Sequence, residues 1–399
     1  MSARILLLAA ALAACGQPAE SPGPVEPRTA GGGAIAMPVA RAAHSAVALP
    51  DGRVLLIGGC VLESCEAGPE SGTVDAYDPD SGRIAQAGRL LGPRISAAVI
   101  PLDSGTIAIA GGWAGAAVSD QVELWDPSTG RSRRAPPLGL ARSDPAAVKL
   151  ADGRVLLAGG YDGRGPVDAV EIFDPATGRL ARAGSLAVAR AGAGAALLPD
   201  GKVLIVGGGT GPGARKPTAS AELFDPATGR SSPTGALAEA RYKHGIVATG
   251  DGRVLVFGGS DRRDRDGKLT LVERYDPEAR AFVAAGRLLE PRYKIAGSVL
   301  ALPDGRVLVA GGAPRAELYD PASGRSALVG PDLGKSLNFA TATLLPDGSV
   351  LVAGGYDENG IRMSAQAWRF RPAPRRVPAA GSKMVGATGF EPATPTPPV

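Results

Sequence analysis

The sequence predicts an all-β protein, a β-propeller of seven blades with four antiparallel strands in each blade. Three observations carry this prediction. A Gly-Gly pair ends a short apolar run seven times, a turn of the Asp-Gly kind precedes these runs, and the pairs recur every 43 to 53 residues. A repeat of that length is typical of a propeller blade, because each unit buries its apolar faces only against its neighbours.

The Gly-Gly pairs locate the second strand of each blade. Runs such as Val54–Ile57 and Val203–Val206 are too short for helices, and their unbroken apolarity indicates strands buried on both faces. The seven pairs begin at Gly58, Gly111, Gly159, Gly207, Gly258, Gly311 and Gly354.

The turn before each run places the first strand. Asp51-Gly52 lies between two apolar segments, and Asp-Gly there is a strong hairpin signal because glycine accepts a positive φ. Blade 2 has the longer sequence Asp103-Ser104-Gly105.

The third strand is predicted from an aromatic residue near its end, and the fourth from the turn that follows. In six blades this turn has an Asp at its start and an Arg directly after it, as in Asp174-Pro175-Ala176-Thr177-Gly178-Arg179. The aromatic residues are Tyr77, Trp125, Phe173, Phe224, Tyr275, Tyr319 and Trp368.

These motifs together resemble the kelch repeat, and in particular bacterial kelch-repeat lipoproteins of the galactose oxidase central-domain-like superfamily. The resemblance covers residues 38–371 and implies a seven-bladed kelch-type β-propeller, which we bound at residues 29–383. Blade 7 needs a fourth strand from outside its own repeat. Either residues 29–38 or residues 376–383 could supply it, and the first is favoured because it joins both ends of the chain.

The N-terminus predicts export and lipid anchoring. Residues 1–14 have a positive start and a short apolar run, as in a signal peptide, and Leu12-Ala13-Ala14-Cys15 resembles the lipobox of bacterial lipoproteins. The resemblance implies cleavage before Cys15 and its acylation, with Gln17 favouring the outer membrane. We therefore expect an extracytoplasmic, lipid-anchored protein with a flexible tether at 15–28. Residues 384–399 are expected to be a disordered tail, either accidental coding or an ordinary Pro-rich end.

The other two cysteines, Cys60 and Cys65, are expected to form a disulfide in an oxidising compartment, with two free thiols as the alternative. A pair of cysteines without histidine is a poor zinc site. We predict no metal and no cofactor.

A repeated cation is the main candidate for binding. One lies near the start of the first strand in every blade: Arg41, Arg94, Arg142, Arg190, Arg241, Arg292 and Lys335. If the first strand is innermost, these cations surround one mouth of the channel and suit a carboxylate or phosphate. The favoured alternative is structural. The acids of the third strands would pair with the arginines as links between blades; they are Asp75, Glu123, Glu171, Glu222, Glu273 and Glu317.

Signals for catalysis are poor. The chain has two histidines, His44 and His244, at equivalent positions of blades 1 and 5, and they are expected to pack beside the first strands or to join the basic mouth. Trp113, Tyr161 and Tyr356 follow Gly-Gly directly, where they either bind a ligand or cap a blade.

The formal charge of +4 is too small to indicate nucleic acid. We predict a monomeric, non-catalytic binding or scaffold protein of the cell envelope whose partner is an envelope protein or glycan, possibly an acidic one. The alternative is a carbohydrate-active enzyme resembling a sugar mutarotase or lyase.

Overall fold

The structure, a computed structural model, describes residues 33–61, 71–357 and 362–375. It confirms an all-β propeller of seven four-stranded antiparallel sheets. Short 3-10 helices at Pro212–Ala214 and Asp264–Gly267 lie in loops. Among the described residues no helix is long and apolar enough to cross a bilayer.

The blades follow one another along the chain, and each runs from an inner first strand to an outer fourth strand. The strands of blade 1 are Ser45–Ala48, Val54–Ile57, Thr73–Asp78 and Arg83–Arg89, and those of blade 2 are Ala98–Pro101, Ile107–Ala110, Val122–Asp126 and Arg131–Ala135. Blade 3 has Ala146–Lys149, Val155–Ala158, Ala169–Asp174 and Arg179–Ser185, and blade 4 has Gly194–Leu197, Val203–Val206, Ala221–Asp225 and Arg230–Pro233. Blade 5 has Gly245–Ala248, Val254–Phe257, Leu269–Asp276 and Ala281–Arg292, and blade 6 has Val299–Ala301, Val307–Val309, Ala316–Asp320 and Arg325–Val329. Blade 7 has Thr341–Leu344, Val350–Ala353, Gln366–Phe370 and Ile35–Ala36. Two small hairpins, Trp113–Ala114 with Ala117–Val118 and Gly209–Thr210 with Lys216–Pro217, lie in loops.

The first strands form a closed circle. Each one contacts the first strand of the next blade, and that of blade 7 contacts that of blade 1. The first strands therefore line a central channel, as the sequence predicts.

Blade 7 is closed by the N-terminal segment. Ile35 and Ala36 pair with Ala367 and Gln366, and the Met37 amide donates to the carbonyl of Ala365 at 2.8 Å. This is the favoured one of the two predicted closures; the other, residues 376–383, lies outside the described residues. So do the predicted signal peptide, Cys15, the tether and the tail.

The core lies between neighbouring blades. All residues of the second strand Val54–Ile57 are buried, as its unbroken apolarity predicts. Val54 and Leu56 pack with Leu351 and Ala353 of blade 7, so the contact that closes the wheel is also apolar. Each second strand thus joins two inter-blade cores.

Contacts between fourth strands strengthen the outer rim. The fourth strand of blade 7, Ile35–Ala36, contacts that of blade 1, and the fourth strands of blades 1 and 2, 3 and 4, and 5 and 6 also contact each other. In these last three contacts a glycine of the first blade approaches a turn glycine of the second. A Cβ on Gly184, for example, would lie 2.1 Å from the Gly229 carbonyl oxygen. Only glycine fits so close an approach.

The antiparallel order gives the wheel two different faces. The mouth face carries the inter-blade linkers and the loops between second and third strands. The turn face carries the Asp-Gly turns and the Asp-Pro turns. Because Ile35–Ala36 runs as a fourth strand, the chain enters the propeller from the turn face.

Candidate functional site

The six predicted arginines lie on the mouth face but are buried. At most 2% of each residue is exposed to solvent, and they are among the largest buried side chains of the protein. Burial lowers the pKa of Arg241, and the carboxylates beside its guanidinium oppose this shift. A ligand entering the channel therefore does not meet these guanidiniums directly.

Each arginine is paired within its own blade. Arg241 Nη2 lies 2.6 Å from Glu273 Oε1, and its Nη1 donates to the carbonyls of Gly258 and Leu271, both at 2.9 Å. The second oxygen of Glu273 accepts the Ala238 amide at 2.7 Å. The corresponding ion pairs are Arg41–Asp75, Arg94–Glu123, Arg142–Glu171, Arg190–Glu222 and Arg292–Glu317.

The same residues also join adjacent blades, but through their main chain. The Gly259 amide of blade 5 donates to the carbonyl of Arg292, which opens blade 6, at 2.8 Å. The predicted pairing of arginine with acid is thus found, although the ion pair itself stays within one blade. The geometry gives these residues a structural role, and the predicted basic ring at the mouth is not formed by them.

Lys335 does not hold the arginine position in blade 7. Leu337 occupies that position. Its carbonyl accepts a hydrogen bond from the Gly312 amide at 3.1 Å, as the Arg292 carbonyl accepts one from the Gly259 amide. The register of the third strand shows that Trp368 stands where the acid stands elsewhere, so the repeated aromatic is Phe370 and not Trp368. Blade 7 replaces the ion pair with apolar side chains: Leu337, Trp368 and Phe370 belong to one core cluster.

The two histidines lie between blades and face no open pocket. His44 Nε2 is 2.9 Å from Thr341 Oγ1 of blade 7, and His244 packs against Gly194 and Gly207 of blade 4. Burial lowers the pKa of both to about 3, so both are neutral at pH 7. They serve as packing residues, which is one of the two predicted roles.

The mouth itself is lined by a position that the sequence analysis missed. Two residues beyond each arginine position, the backbone takes a left-handed conformation with φ between 48° and 60°. Amides of this ring donate to carbonyls of the preceding blade, as Lys294 does to Lys243 at 2.8 Å. We call these residues the mouth ring: Ala43, Ser96, Asp144, Gly192, Lys243, Lys294 and Phe339.

Two lysines of the mouth ring lie among aromatic side chains. Lys294 Nζ is 4.7 Å from the ring centre of Tyr293, 5.5 Å from that of Phe339 and 5.1 Å from that of Tyr356, and it donates to the Tyr356 hydroxyl. Such distances are those of cation–π contacts. Lys294 is partly exposed.

Lys243, the second lysine, contacts the Tyr242 ring at 4.6 Å and pairs with Asp264 at 2.7 Å. Burial, with Asp264 nearby, raises the pKa of Tyr242 to about 12, so its hydroxyl keeps its proton. We call the aromatic and lysine residues of blades 5 to 7 the lysine–aromatic cluster: Tyr242, Lys243, Tyr293, Lys294, Phe339 and Tyr356.

Other side chains of the mouth face come from blades 2 and 3. Asp144 is accessible to water from the channel but is surrounded by protein, and this enclosure raises the pKa of its carboxyl group while Ser96, Ser143 and Lys243 oppose the shift. The ring centres of Trp113 and Tyr161 lie 6.1 Å apart, and both side chains are partly exposed. The mouth thus offers cations on one part of its edge and a carboxyl group with aromatic surface on another.

A sequence signal for the mouth ring existed. Its members lie at a constant distance of two residues after the arginine position, but their residue types vary, and only blades 5 and 6 share one, lysine. A search for what repeats therefore finds the structural arginine and passes over its variable neighbour.

Cys60 is buried beside Ala42 at the start of the loop that follows the second strand of blade 1. Cys65 lies outside the described residues, so the disulfide stays a prediction.

No protein-family model matches the chain, and no curated protein matches it. Among solved structures it is similar to a fungal alcohol oxidase of the AA5 family in complex with copper. The TM-score is 0.68 and the identity is 17%, over 86% of this chain and 76% of that one.

The residues present do not fit a copper site. Both histidines are enclosed between blades, and the described part of the chain contains no group of three or more His, Cys, Asp or Glu side chains placed to hold a metal ion. The comparison therefore concerns architecture: the chain shares the β-propeller fold of the copper-bound alcohol oxidase.

Proposed function

We propose that this protein is a kelch-type binding propeller of the cell envelope that recognises an acidic glycan at the mouth of its channel. The observation that carries the proposal is Lys294, a partly exposed ammonium group enclosed by Tyr293, Phe339 and Tyr356. An ammonium group pairs with a carboxylate, and the partly exposed ring of Phe339 beside it gives apolar contact area at little cost in conformational entropy. Together they suit a sugar that carries a carboxylate.

The scaffold supports this role. The mouth ring is held by main-chain hydrogen bonds between blades, so its variable side chains stand on a rigid frame. Rigid presentation of variable residues is how binding sites are commonly built.

Calorimetric titration with oligogalacturonate, and with a neutral maltooligosaccharide of equal length, tests the proposal. We expect binding of the acidic sugar only, weakened by added salt. Lys294→Met should weaken it about tenfold, the loss of one charge-assisted hydrogen bond. Lys202→Met, on the turn face and paired with Asp200 at 2.6 Å, is the control and should change nothing. Equal affinity for the neutral sugar, or equal loss in the control, contradicts the proposal.

A carbohydrate-active enzyme is the second candidate, and Asp144 is the observation that favours it. An enclosed carboxyl group with a raised pKa is suited to hold a proton and to deliver it. Proton NMR of reducing acidic sugars, with and without the protein, detects anomerisation or elimination. Asp144→Asn should abolish such turnover and keep binding; turnover unaffected by this change excludes Asp144.

The anchor remains part of the proposal. Mass spectrometry of the mature protein should find Cys15 as the N-terminal residue with acyl chains attached, and an unmodified Met1 contradicts the placement in the envelope.

A further inference from the structure

The outer edge of the propeller is not uniformly charged. Blade 2 carries Arg131, Arg133 and Arg134 on its fourth strand, and blade 3 carries Arg179 and Arg182. All five are exposed. The fourth strand Arg83–Arg89 of blade 1 also carries two exposed arginines, whereas Arg230–Pro233 of blade 4 and Arg325–Val329 of blade 6 carry one each. We call the five arginines of blades 2 and 3 the rim patch.

The rim patch is available to an external anion. In residues 33–61, 71–357 and 362–375 none of its five side chains forms an ion pair, whereas the nearby Arg154 pairs with Asp152 at 2.7 Å. The three arginines of blade 2 lie within four residues of one exposed strand, so their like charges stand close together and repel each other. Keeping them together costs stability, which favours a partner that brings negative charge.

A groove continues the rim patch toward the turn face. It lies between blades 3 and 4, measures about 450 Å³ and is lined by Arg154, Arg179 and Arg182, with Asp174 as its carboxylate and the turn at Thr228 and Gly229 as its far wall. The groove is open, and the guanidiniums of Arg179 and Arg182, which form no ion pair among the described residues, match phosphate oxygens.

The path of the chain indicates which anionic surface is in reach. The N-terminal strand Ile35–Ala36 begins at the turn face, so the lipid anchor proposed at Cys15 is joined to the propeller on that face. The mouth ring lies on the opposite face.

We infer that the rim patch and its groove rest on the phosphate headgroups of an anionic membrane, so that the turn face lies toward the bilayer and the channel mouth toward the surroundings. The partner is a lipid surface with phosphate groups. Clusters of basic residues beside a membrane bind such surfaces, because each lysine or arginine near anionic headgroups adds about 1 kcal/mol of attraction. This inference does not depend on which ligand occupies the mouth.

The test uses the full chain with Cys15→Ser, so that no acyl chain contributes, and measures its sedimentation with vesicles. Vesicles of phosphatidylcholine mixed with phosphatidylglycerol should bind it, vesicles of pure phosphatidylcholine should not, and high salt should release it. The combined variant Arg131→Gln, Arg133→Gln, Arg134→Gln should bind the mixed vesicles on the order of 100-fold more weakly, at about fivefold per arginine.

The control variant removes the same charge elsewhere on the rim. Arg83, Arg230 and Arg325 open the fourth strands of blades 1, 4 and 6 and are exposed. Changing all three to Gln should leave most of the binding. Thermal unfolding of both variants checks that each is folded. Equal losses in the two variants would show that only net charge matters and would overturn the inference, as would a failure of the Cys15→Ser protein to bind mixed vesicles.

Discussion

Removing one partner of a buried arginine–acid pair should destabilise the propeller more than removing an exposed arginine does, and removing both partners should cost less than the sum of the two single losses. Arg241 and Glu273 are the pair to test, since 0% and 1% of the two residues are exposed. Arg241→Met leaves the Glu273 carboxylate in the core with the Ala238 amide as its hydrogen-bond donor. An uncompensated buried charge costs about 3–5 kcal/mol.

The double variant Arg241→Met, Glu273→Met removes both charges. What remains unpaired is neutral: the carbonyls of Gly258 and Leu271, and the Ala238 amide. Its cost should therefore be at least about 2 kcal/mol less than the sum of the two single variants. Blade 7 supports this expectation, because Leu337 and Trp368 fill the same two positions without charge.

The assay is equilibrium unfolding in guanidinium chloride at pH 7, followed by circular dichroism and by tryptophan fluorescence. Arg253→Met is the matched control. Arg253 pairs with Asp251 at 2.7 Å on the turn face, but 39% of its side chain is exposed, so its loss should cost far less stability than the loss of Arg241. The reasoning is refuted if Arg241→Met costs no more than Arg253→Met, or if the costs of the two single variants simply add.

Three further predictions concern stability. The pKa values of His44 and His244 are about 3 in the folded protein and 6.5 as the ordinary value, so the unfolded chain binds more protons between these limits. Stability should thus fall by about 2 kcal/mol per histidine from pH 7 to pH 5, and His244→Gln should flatten the pH dependence seen in chemical unfolding; an unchanged slope contradicts the assignment. Gly184→Ala forces a Cβ against the Gly229 carbonyl and should cost about 3 kcal/mol or more, whereas Gly201→Ala, at a φ of 81° with no atom within 4 Å, should cost about 1–2 kcal/mol; equal melting temperatures of the two variants would refute the close approach. Deleting residues 33–37 exposes the edge of the strand Gln366–Phe370 and removes buried Met37, so the melting temperature should drop and light scattering should show association; a monomer of unchanged stability contradicts N-terminal closure.

The local motifs were sufficient to predict most of the fold. Gly-Gly, Asp-Gly and the Asp-Pro turns act through the conformations of a few neighbouring residues, so they identify strands wherever they occur. Their regular spacing indicates seven blades, and a missing last strand indicates that one end of the chain must close the wheel.

The sequence misled where a repeat departs from its pattern. In blade 7 both Lys335 and Trp368 have the residue type of a repeated position without occupying it. Strand register decides such cases, and register depends on hydrogen bonds between strands that no single segment encodes.

By itself, therefore, the sequence determined the class of fold, the order of the strands and the pairing of the repeated arginines with repeated acids. The tertiary structure alone decided that those arginines are buried, that Leu337 and Trp368 replace one pair, and that seven residues of six different types meet in the mouth ring. The physical reason is that side chains from distant repeats acquire a common environment only when the blades close around one axis. Burial, pKa and contact between them are properties of that closed wheel.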